Sequence, residues 1–273
     1  MTPLSSEQVA SVRQLQIVCD RLGAEFVIIG AIALQMGLAD WSRHTEDVDV
    51  AIAIDLDDFP QLAALLQEQG WKQHGRREHR WSTPAGARLD LIPAGPTLRK
   101  AHQLEWPVSK MKMSLVGFEH VFADSVSVEI APALNIKIVP LPVVSLLKIV
   151  AYLDNPHDRD KDVADLAAIL VRHDPEDSRR FSDAVVAAHL SYEVVGAYWI
   201  GRDLRALCSS EEKTLVDRFI LQLGDERSRA YQLFVRHMAP SLDEDDGASK
   251  AELLVEAFML GLDAKKSASR RNL

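Results

Sequence analysis

The sequence predicts an α+β fold in two lobes: an N-terminal α/β lobe over residues 1–139 and an all-helical lobe over residues 140–264. Three observations support this prediction. The chain has 273 residues, which is more than a single domain usually contains. Short strand-like runs alternate with helical segments as far as residue 139, and every later segment has helical periodicity. The basic residues 265–273 are predicted to form a disordered tail.

The elements of the N-terminal lobe follow from periodicity and from glycines that end them. A buried strand runs directly into a helix at Gly30, and a later helix ends at Gly70. The predicted strands are 26–29, 48–54, 77–83, 88–92, 126–130 and 135–139. The predicted helices are 5–21, 30–36 and 57–69, followed in the second lobe by 141–152 and 160–172.

The composition is that of an ordinary globular protein, with 47% hydrophobic and 26% charged residues. Two cysteines, Cys19 and Cys208, are too few for a disulfide framework and fit a reducing compartment. The chain shows neither a signal-peptide pattern nor an apolar run long enough to cross a membrane. We therefore expect a cytoplasmic protein. The net charge of −9 argues against a protein that coats nucleic acid by bulk electrostatics.

One stretch is basic although the chain as a whole is acidic. Residues 72–112 carry nine Lys/Arg against three acidic residues, a formal charge of +6, which leaves −15 for the remainder. The stretch is either a solvated basic face or a surface that receives a polyanionic substrate such as RNA. The second interpretation predicts that changing Arg76, Arg77 and Arg80 to Glu removes RNA binding and leaves nucleotide binding intact.

Two aspartates, Asp47 and Asp49, lie two residues apart at the start of a predicted strand. Side chains alternate between the two faces of a strand, so both carboxylates project from one face while Val48 and Val50 face the core. Neighbouring carboxylates repel each other unless a cation lies between them. The pair therefore indicates a site for a hard cation such as Mg²⁺, and removing either carboxylate should leave the metal-free fold intact.

Asp90, between Leu89 and Leu91 on another predicted strand, supplies a third carboxylate of the same kind. Three carboxylates can hold two ions about 3.5–4 Å apart, one at the attacking hydroxyl and one at the triphosphate. Asp90 is also the best candidate for assisting deprotonation of that hydroxyl. Acids at an exposed strand end are the structural alternative. Gly30 leaves backbone N–H groups open to a phosphate, although a glycine required only for packing explains it equally well.

A lysine interrupts an apolar helical stretch in the second lobe. Lys148 needs a partner for its charge, unless its side chain reaches the surface, and Lys148→Met should cost little packing. On the next predicted helix Asp162 and Asp165 are three residues apart and share one face, with Lys161 and Arg159 nearby. This second group is either part of a substrate site or a surface network of ion pairs.

Five motifs follow one another in a defined order within residues 26–170. They are Gly30-Ala31, Arg43-His-Thr45-Glu-Asp47-Val-Asp49-Val, Leu89-Asp90-Leu91, Lys148, and Arg159-Asp-Lys161-Asp162-Val-Ala-Asp165-Leu. This ordered set resembles the AbiEii/AbiGii-type nucleotidyltransferases, which belong to the polymerase-β-like superfamily. The resemblance implies an N-terminal polymerase-β-like nucleotidyltransferase lobe with a mixed sheet, followed by a C-terminal all-helical lobe.

The resemblance also implies roles for individual residues. Asp47, Asp49 and Asp90 correspond to the metal-binding catalytic carboxylates. Lys148 corresponds to a catalytic lysine that neutralises the triphosphate. The residues at positions of substrate contact are Gly30, Ala31, Arg43, Thr45, Lys161, Asp162 and Asp165.

Together, the residues and the resemblance predict a nucleotidyltransferase that uses two Mg²⁺ ions, or Mn²⁺, to transfer a nucleotide from an NTP to an acceptor. The resemblance implies an RNA acceptor such as tRNA, a toxin function in a toxin-antitoxin system, and an antitoxin protein as partner. Two alternatives stay open. One is a nucleotidyltransferase for small molecules of the antibiotic type, and the other is a non-catalytic relative that only binds nucleotide.

Overall fold

The computed structural model describes residues 3–38, 45–238 and 244–263. Arg43 and the basic tail predicted over residues 265–273 lie outside this part of the chain. The described residues form two compact units: the first from residues 3–36 and 45–140, the second from residues 37–38, 141–238 and 244–263. Each unit has its own core.

The first unit contains a sheet and the helices around it. Its helices are α1 (Ser6–Leu22), α2 (Gly30–Gly37), α3 (Phe59–Glu68), α4 (Pro96–Ala101) and α5 (Phe118–Ala123). Its strands are β1 (Phe26–Ile28), β2 (Asp47–Ile52), β3 (Lys72–His74), β4 (Arg77–Ser82), β5 (Arg88–Pro93), β6 (Gln103–Glu105), β7 (Lys112–Ser114), β8 (Val126–Ala131) and β9 (Leu134–Ile138).

The sheet of the first unit has seven strands in the order β3-β4-β5-β2-β1-β9-β8. It is mixed, because β2 runs parallel to β5 and antiparallel to β1, while β1 runs parallel to β9. The register of β2 and β5 sets Asp47 beside Arg88 and Asp49 beside Asp90. Strands β6 and β7 form a separate two-stranded sheet. The predicted α+β class with a mixed sheet is confirmed.

Local signals explain how the first unit begins. Ser5 caps α1 in a capping box with Gln8, and Gly23 ends the helix with φ +62°. Leu15 and Val18 on α1 are fully or almost fully buried. The predicted strands and helices of this unit are all present. The three-residue strands β3, β6 and β7 carry no sequence signal, because three residues with at most one apolar side chain are too few to establish the alternation of a half-buried strand.

The second unit is helical. Its helices are α6 (Leu141–Asp154), α7 (Asp160–Arg172), α8 (Asp177–Arg180), α9 (Asp183–Ala187), α10 (Val195–Leu207), α11 (Ser210–Leu223), α12 (Arg229–Met238) and α13 (Glu244–Leu262). Helices α10 and α13 approach closely at two glycines. A Cβ atom on Gly201 would lie 2.2 Å from the Phe258 carbonyl oxygen, and one on Gly261 would lie 2.1 Å from that of Tyr198. None of the described helices is long and apolar enough to cross a membrane.

Candidate active site

Strands β2 and β5 bring three carboxylates to the middle of the sheet. Val48 and Val50 are fully buried, whereas Asp47 and Asp49 between and beside them are partly exposed, as expected for alternating faces. Asp90 is the residue directly opposite Asp49 on the neighbouring parallel strand. The side chain of Asp47 is 27% exposed and that of Asp90 is 12% exposed. Of these two side chains, that of Asp47 is therefore the more open to solvent.

An arginine links two of these carboxylates. Arg80 lies opposite Asp90 on the antiparallel strand β4. Its Nη2 donates to Oδ2 of Asp47 and to Oδ2 of Asp90, each at 2.8 Å, and its Nε donates to Oδ1 of Asp90 at 2.8 Å. Hydrogen bonds to Asp90, together with the charges of the three aspartates, outweigh burial and raise the pKa of Arg80. In the sequence Arg80 belongs to a basic stretch, and nothing local there indicates its contact with Asp47 and Asp90.

A second arginine contacts Asp47 from the neighbouring strand. The Nε atom of Arg88 lies 2.8 Å from Oδ1 of Asp47, and its Nη2 also contacts Glu46. Each carboxylate oxygen of Asp47 therefore faces one guanidinium group. The repulsion expected between bare carboxylates is compensated by these two cationic side chains.

Gly30 makes room for Asp49. Its φ of +66° lies in the left-handed region, and a Cβ atom built on it would lie 2.1 Å from Oδ2 of Asp49. Only glycine fits both the backbone conformation and the space. Ala31, the next residue of α2, is buried with 4% exposure. The structure thus gives Gly30 a steric function towards a carboxylate, in addition to the predicted contact with phosphate.

Thr45 and His79 flank the carboxylates. The Oγ1 atom of Thr45 donates to the Asp47 carbonyl oxygen at 3.0 Å, so this side chain is held at the start of β2. The Nε2 atom of His79 lies 3.9 Å from Oδ2 of Asp90. The centroid of the His79 ring lies 5.9 Å from that of the Trp106 ring. Burial lowers the pKa of His79 despite the charge of Asp90. The sequence carried no spacing signal for His79.

The donor set fits Mg²⁺ by its chemistry, because carboxylate oxygens are the hard ligands that this ion prefers. Within the described residues, no three His, Cys, Asp or Glu side chains are already clustered so that they could hold a metal ion. The guanidinium of Arg80 lies between Asp47 and Asp90 and contacts both. A positive group thus already occupies the position between these two carboxylates.

The second unit contains a buried ion pair network centred on Lys148. Its Nζ lies 2.6 Å from Oδ1 of Asp162 and 2.8 Å from Oδ2 of Asp165. The side chains of Lys148, Asp162 and Asp165 are 13%, 6% and 1% exposed. Burial lowers the pKa of Lys148, but the two carboxylates outweigh burial and raise it. Lys148 therefore has its partners on α7, whereas Lys161 on the same helix is exposed.

A family model described as "Nucleotidyl transferase AbiEii toxin, Type IV TA system" matches residues 13–257. The chain belongs to this family. The predicted family assignment is thereby confirmed, and nucleotidyl transfer is the general chemistry of the AbiEii family. No curated protein matches this AbiEii-family chain.

Several solved structures are similar to this AbiEii-family chain at low sequence identity. An antigenic nucleotidyltransferase-like protein from Paracoccidioides brasiliensis is 15% identical, with a TM-score of 0.43 over 85% of this chain and 94% of that chain. The protein JHP933 from Helicobacter pylori is 12% identical, with a TM-score of 0.42 over 98% of each chain. The antibiotic-resistance factor ANT(2'')-Ia is 12% identical, with a TM-score of 0.34 over 98% of this chain and 100% of that chain.

The basic stretch of the AbiEii-family chain divides into paired and exposed side chains. Arg80 and Arg88 contact the aspartates described above, and Arg99 donates to Glu119 and to the Ala94 carbonyl oxygen. The exposed members of the stretch are Lys72, Arg76, Arg77, Lys100, Lys110 and Lys112, of which Lys112 also lies 3.2 Å from a carboxylate oxygen of Glu105. Changing Arg76, Arg77 and Arg80 together to Glu would therefore also disturb the carboxylate site, because Arg80 contacts Asp47 and Asp90. That triple variant does not test RNA binding separately from nucleotide binding.

Proposed function

We propose that this chain is a Mg²⁺-dependent nucleotidyltransferase whose metal ligands are Asp47, Asp49 and Asp90. The single observation that supports this proposal is the register of β2 and β5, which sets Asp49 beside Asp90 with Asp47 on the same face of the sheet. One guanidinium group reaches both Asp47 and Asp90, so their carboxylates lie within reach of a shared cation.

Mg²⁺ held by Asp47, Asp49 and Asp90 would polarise the α-phosphate of an NTP and lower the pKa of the acceptor hydroxyl. The hydroxyl oxygen of the acceptor forms a bond to the α-phosphorus, and the bond from that phosphorus to the pyrophosphate oxygen breaks. Pyrophosphate leaves with the electron pair, and Asp90 accepts the hydroxyl proton. Both oxygens of Asp90 accept hydrogen bonds from Arg80, so the guanidinium and the hydroxyl proton compete for the same carboxylate.

The remaining substrate contacts stay proposals. They comprise phosphate contacts from Gly30, Ala31, Thr45 and Arg43, neutralisation of the triphosphate by Lys148, and contacts from Lys161, Asp162 and Asp165. We also propose that the chain acts as the toxin of a toxin-antitoxin system with an antitoxin partner, which its family supports. The acceptor that we favour is RNA, probed first as tRNA, because the basic stretch retains exposed lysines and arginines.

The test of nucleotide transfer is incubation of the protein with each labelled NTP, total tRNA and Mg²⁺. Asp49→Asn keeps the side-chain volume and should reduce labelling by at least about 100-fold, because metal ligation contributes several kcal/mol to such reactions. Asp57→Asn is the matched control, since Asp57 is an exposed acid of the same unit. Equal labelling by wild type and Asp49→Asn would contradict the proposed metal site.

The test of the RNA acceptor leaves the carboxylate site untouched. Arg76 and Arg77 are exposed neighbours, and changing both to Glu should weaken RNA binding and flatten its dependence on salt concentration. Changing the exposed Arg218 and Arg227 of the second unit to Glu gives the same change in net charge and serves as control. If the two double variants bind RNA equally, the basic stretch is a solvated face.

A further inference from the structure

Arg80 makes more hydrogen bonds to the proposed metal ligands than a simple surface ion pair would. It donates one hydrogen bond to Asp47 and two to Asp90, all at 2.8 Å. Its side chain is only 16% exposed. On the same strand Arg77 is exposed, so the two arginines differ in environment although they differ little in position along the chain.

These contacts put Arg80 in competition with any metal ion at the site. A metal ion that bridges Oδ2 of Asp47 and Oδ2 of Asp90 would take the position that Nη2 of Arg80 holds, 2.8 Å from both oxygens. The two positive groups also repel each other at such short separation. Metal binding therefore includes the cost of removing the guanidinium from both carboxylates.

The displaced guanidinium needs a new acceptor. A side chain that is 16% exposed cannot exchange its three hydrogen bonds for full hydration without a rearrangement of its surroundings. The planar fork of arginine matches phosphate oxygens as well as it matches carboxylate oxygens. A nucleotide arrives with the metal and supplies such oxygens, whereas a metal ion alone supplies none.

We infer that Arg80 is an exchangeable counter-cation: it holds Asp47 and Asp90 in the metal-free protein and transfers to nucleotide phosphate when a metal–nucleotide complex binds. This inference rests on the proposed function. Its consequence is that the metal-free site discriminates against a metal ion that arrives without nucleotide. By linkage, nucleotide and metal each raise the affinity of the protein for the other through Arg80.

The experiment measures binding rather than turnover. Free Mn²⁺ is titrated into the full chain and followed by its paramagnetic resonance signal, and the preformed Mn²⁺ complex of an α,β-methylene NTP is titrated by calorimetry. Arg80→Gln should bind Mn²⁺ alone at least about tenfold more tightly than wild type, because the competing cation is gone. The ratio of the affinity for the complex to the affinity for Mn²⁺ alone should be at least about tenfold lower in Arg80→Gln than in wild type.

Arg77→Gln removes the same charge from the same strand and is the control for long-range electrostatics. It should change both affinities by less than about threefold, as expected for an exposed charge. Equal Mn²⁺ affinities in Arg80→Gln and Arg77→Gln would overturn the inference while leaving the metal site in place. If wild type binds neither Mn²⁺ nor its nucleotide complex, the proposed function itself is overturned.

A second variant covers the case in which Arg80→Gln does not fold. Arg80→Lys keeps the positive charge but cannot donate to both carboxylates through a planar fork. It should bind Mn²⁺ alone more tightly than wild type and less tightly than a variant without the charge. An Arg80→Lys protein with the Mn²⁺ affinity of wild type would also overturn the inference.

Discussion

Replacing Lys148 by methionine should destabilise the second unit strongly. The change leaves Asp162 and Asp165 buried, at 6% and 1% exposure, without the ammonium group that contacts both within 2.8 Å. Removing one partner of a buried ion pair typically costs about 3–5 kcal/mol. For a unit of this size, about 2–4 °C is lost per kcal/mol, so the midpoint of thermal unfolding should fall by roughly 6–20 °C. From the sequence alone, Lys148→Met is expected to cost little packing. The structure instead predicts a large loss of stability, because two buried carboxylates lose their counter-charge.

The assay is thermal unfolding at pH 7 followed by far-ultraviolet circular dichroism. Arg229→Met is the matched control, because Arg229 pairs with Asp160 in the same unit but both side chains are more than 40% exposed. An exposed pair contributes at most about 1 kcal/mol. If Lys148→Met unfolds at the same temperature as Arg229→Met, the buried network does not carry the stability assigned to it. Adding Asp162→Asn and Asp165→Asn to Lys148→Met removes all three charges and should recover part of the loss.

The pH dependence of this effect follows from the sign of the pKa shift. The pKa of Lys148 is raised in the folded protein, so its stabilising contribution is fully present below the ordinary lysine pKa of about 10.4. The contribution is lost only as the pH rises through the raised, folded-state pKa. The difference in stability between wild type and Lys148→Met should therefore stay constant from about pH 7 to 9.

Three further predictions concern the first unit. Gly30→Ala should lower the free energy of unfolding, measured by thermal unfolding, by at least about 1–2 kcal/mol and should abolish nucleotide labelling. The reason is that the new methyl group strains the left-handed backbone and displaces Asp49. Unchanged labelling would contradict this prediction. Burial raises the pKa of Glu78, but hydrogen bonds from the backbone and hydroxyl of Ser109 outweigh it and lower that pKa. Glu78→Gln should therefore lower the free energy of unfolding at pH 7, measured by denaturant titration, by about 1.5–3 kcal/mol. This loss should shrink as the pH falls from about 4.5 through the lowered pKa; a loss independent of pH would refute the ionic contribution. Asp47→Ala should destabilise the metal-free protein by about 1 kcal/mol, since two guanidinium groups lose a nearby negative charge, and a more stable variant would restore the expectation of relieved repulsion.

The parts of the site that the sequence reveals are those with a local signal. The alternation of Asp47 and Asp49 with valines predicts their shared face, and Asp90 between two leucines predicts a carboxylate on a buried strand. Arg80 carried no such signal, because its relation to Asp90 comes from the pairing of β4 with β5. In the sequence Arg80 is one of several basic residues within a short stretch.

For Lys148 the sequence indicates part of the answer. Its apolar surroundings on α6 required a partner, but they did not identify one. In the sequence Asp162 and Asp165 group with their neighbours Lys161 and Arg159. In the structure Arg159 does lie 3.7 Å from Asp162, but the packing of α6 against α7 adds Lys148 as the close partner of both aspartates, and Lys161 is exposed. Similarly, strand β3 forms because β4 offers it hydrogen-bonding partners, which no local pattern records.

The separation in sequence between contacting residues has a kinetic consequence. Arg80 and Asp47 are 33 residues apart, and their contact requires β4, β5 and β2 to pair in register. Lys148 and Asp162 are 14 residues apart, on consecutive helices. Local contacts form faster than non-local strand pairing, because less chain entropy is lost when they close. During refolding, the amides of α6 and α7 should gain protection from hydrogen exchange before those of β2 and β5, so the carboxylate site is completed late.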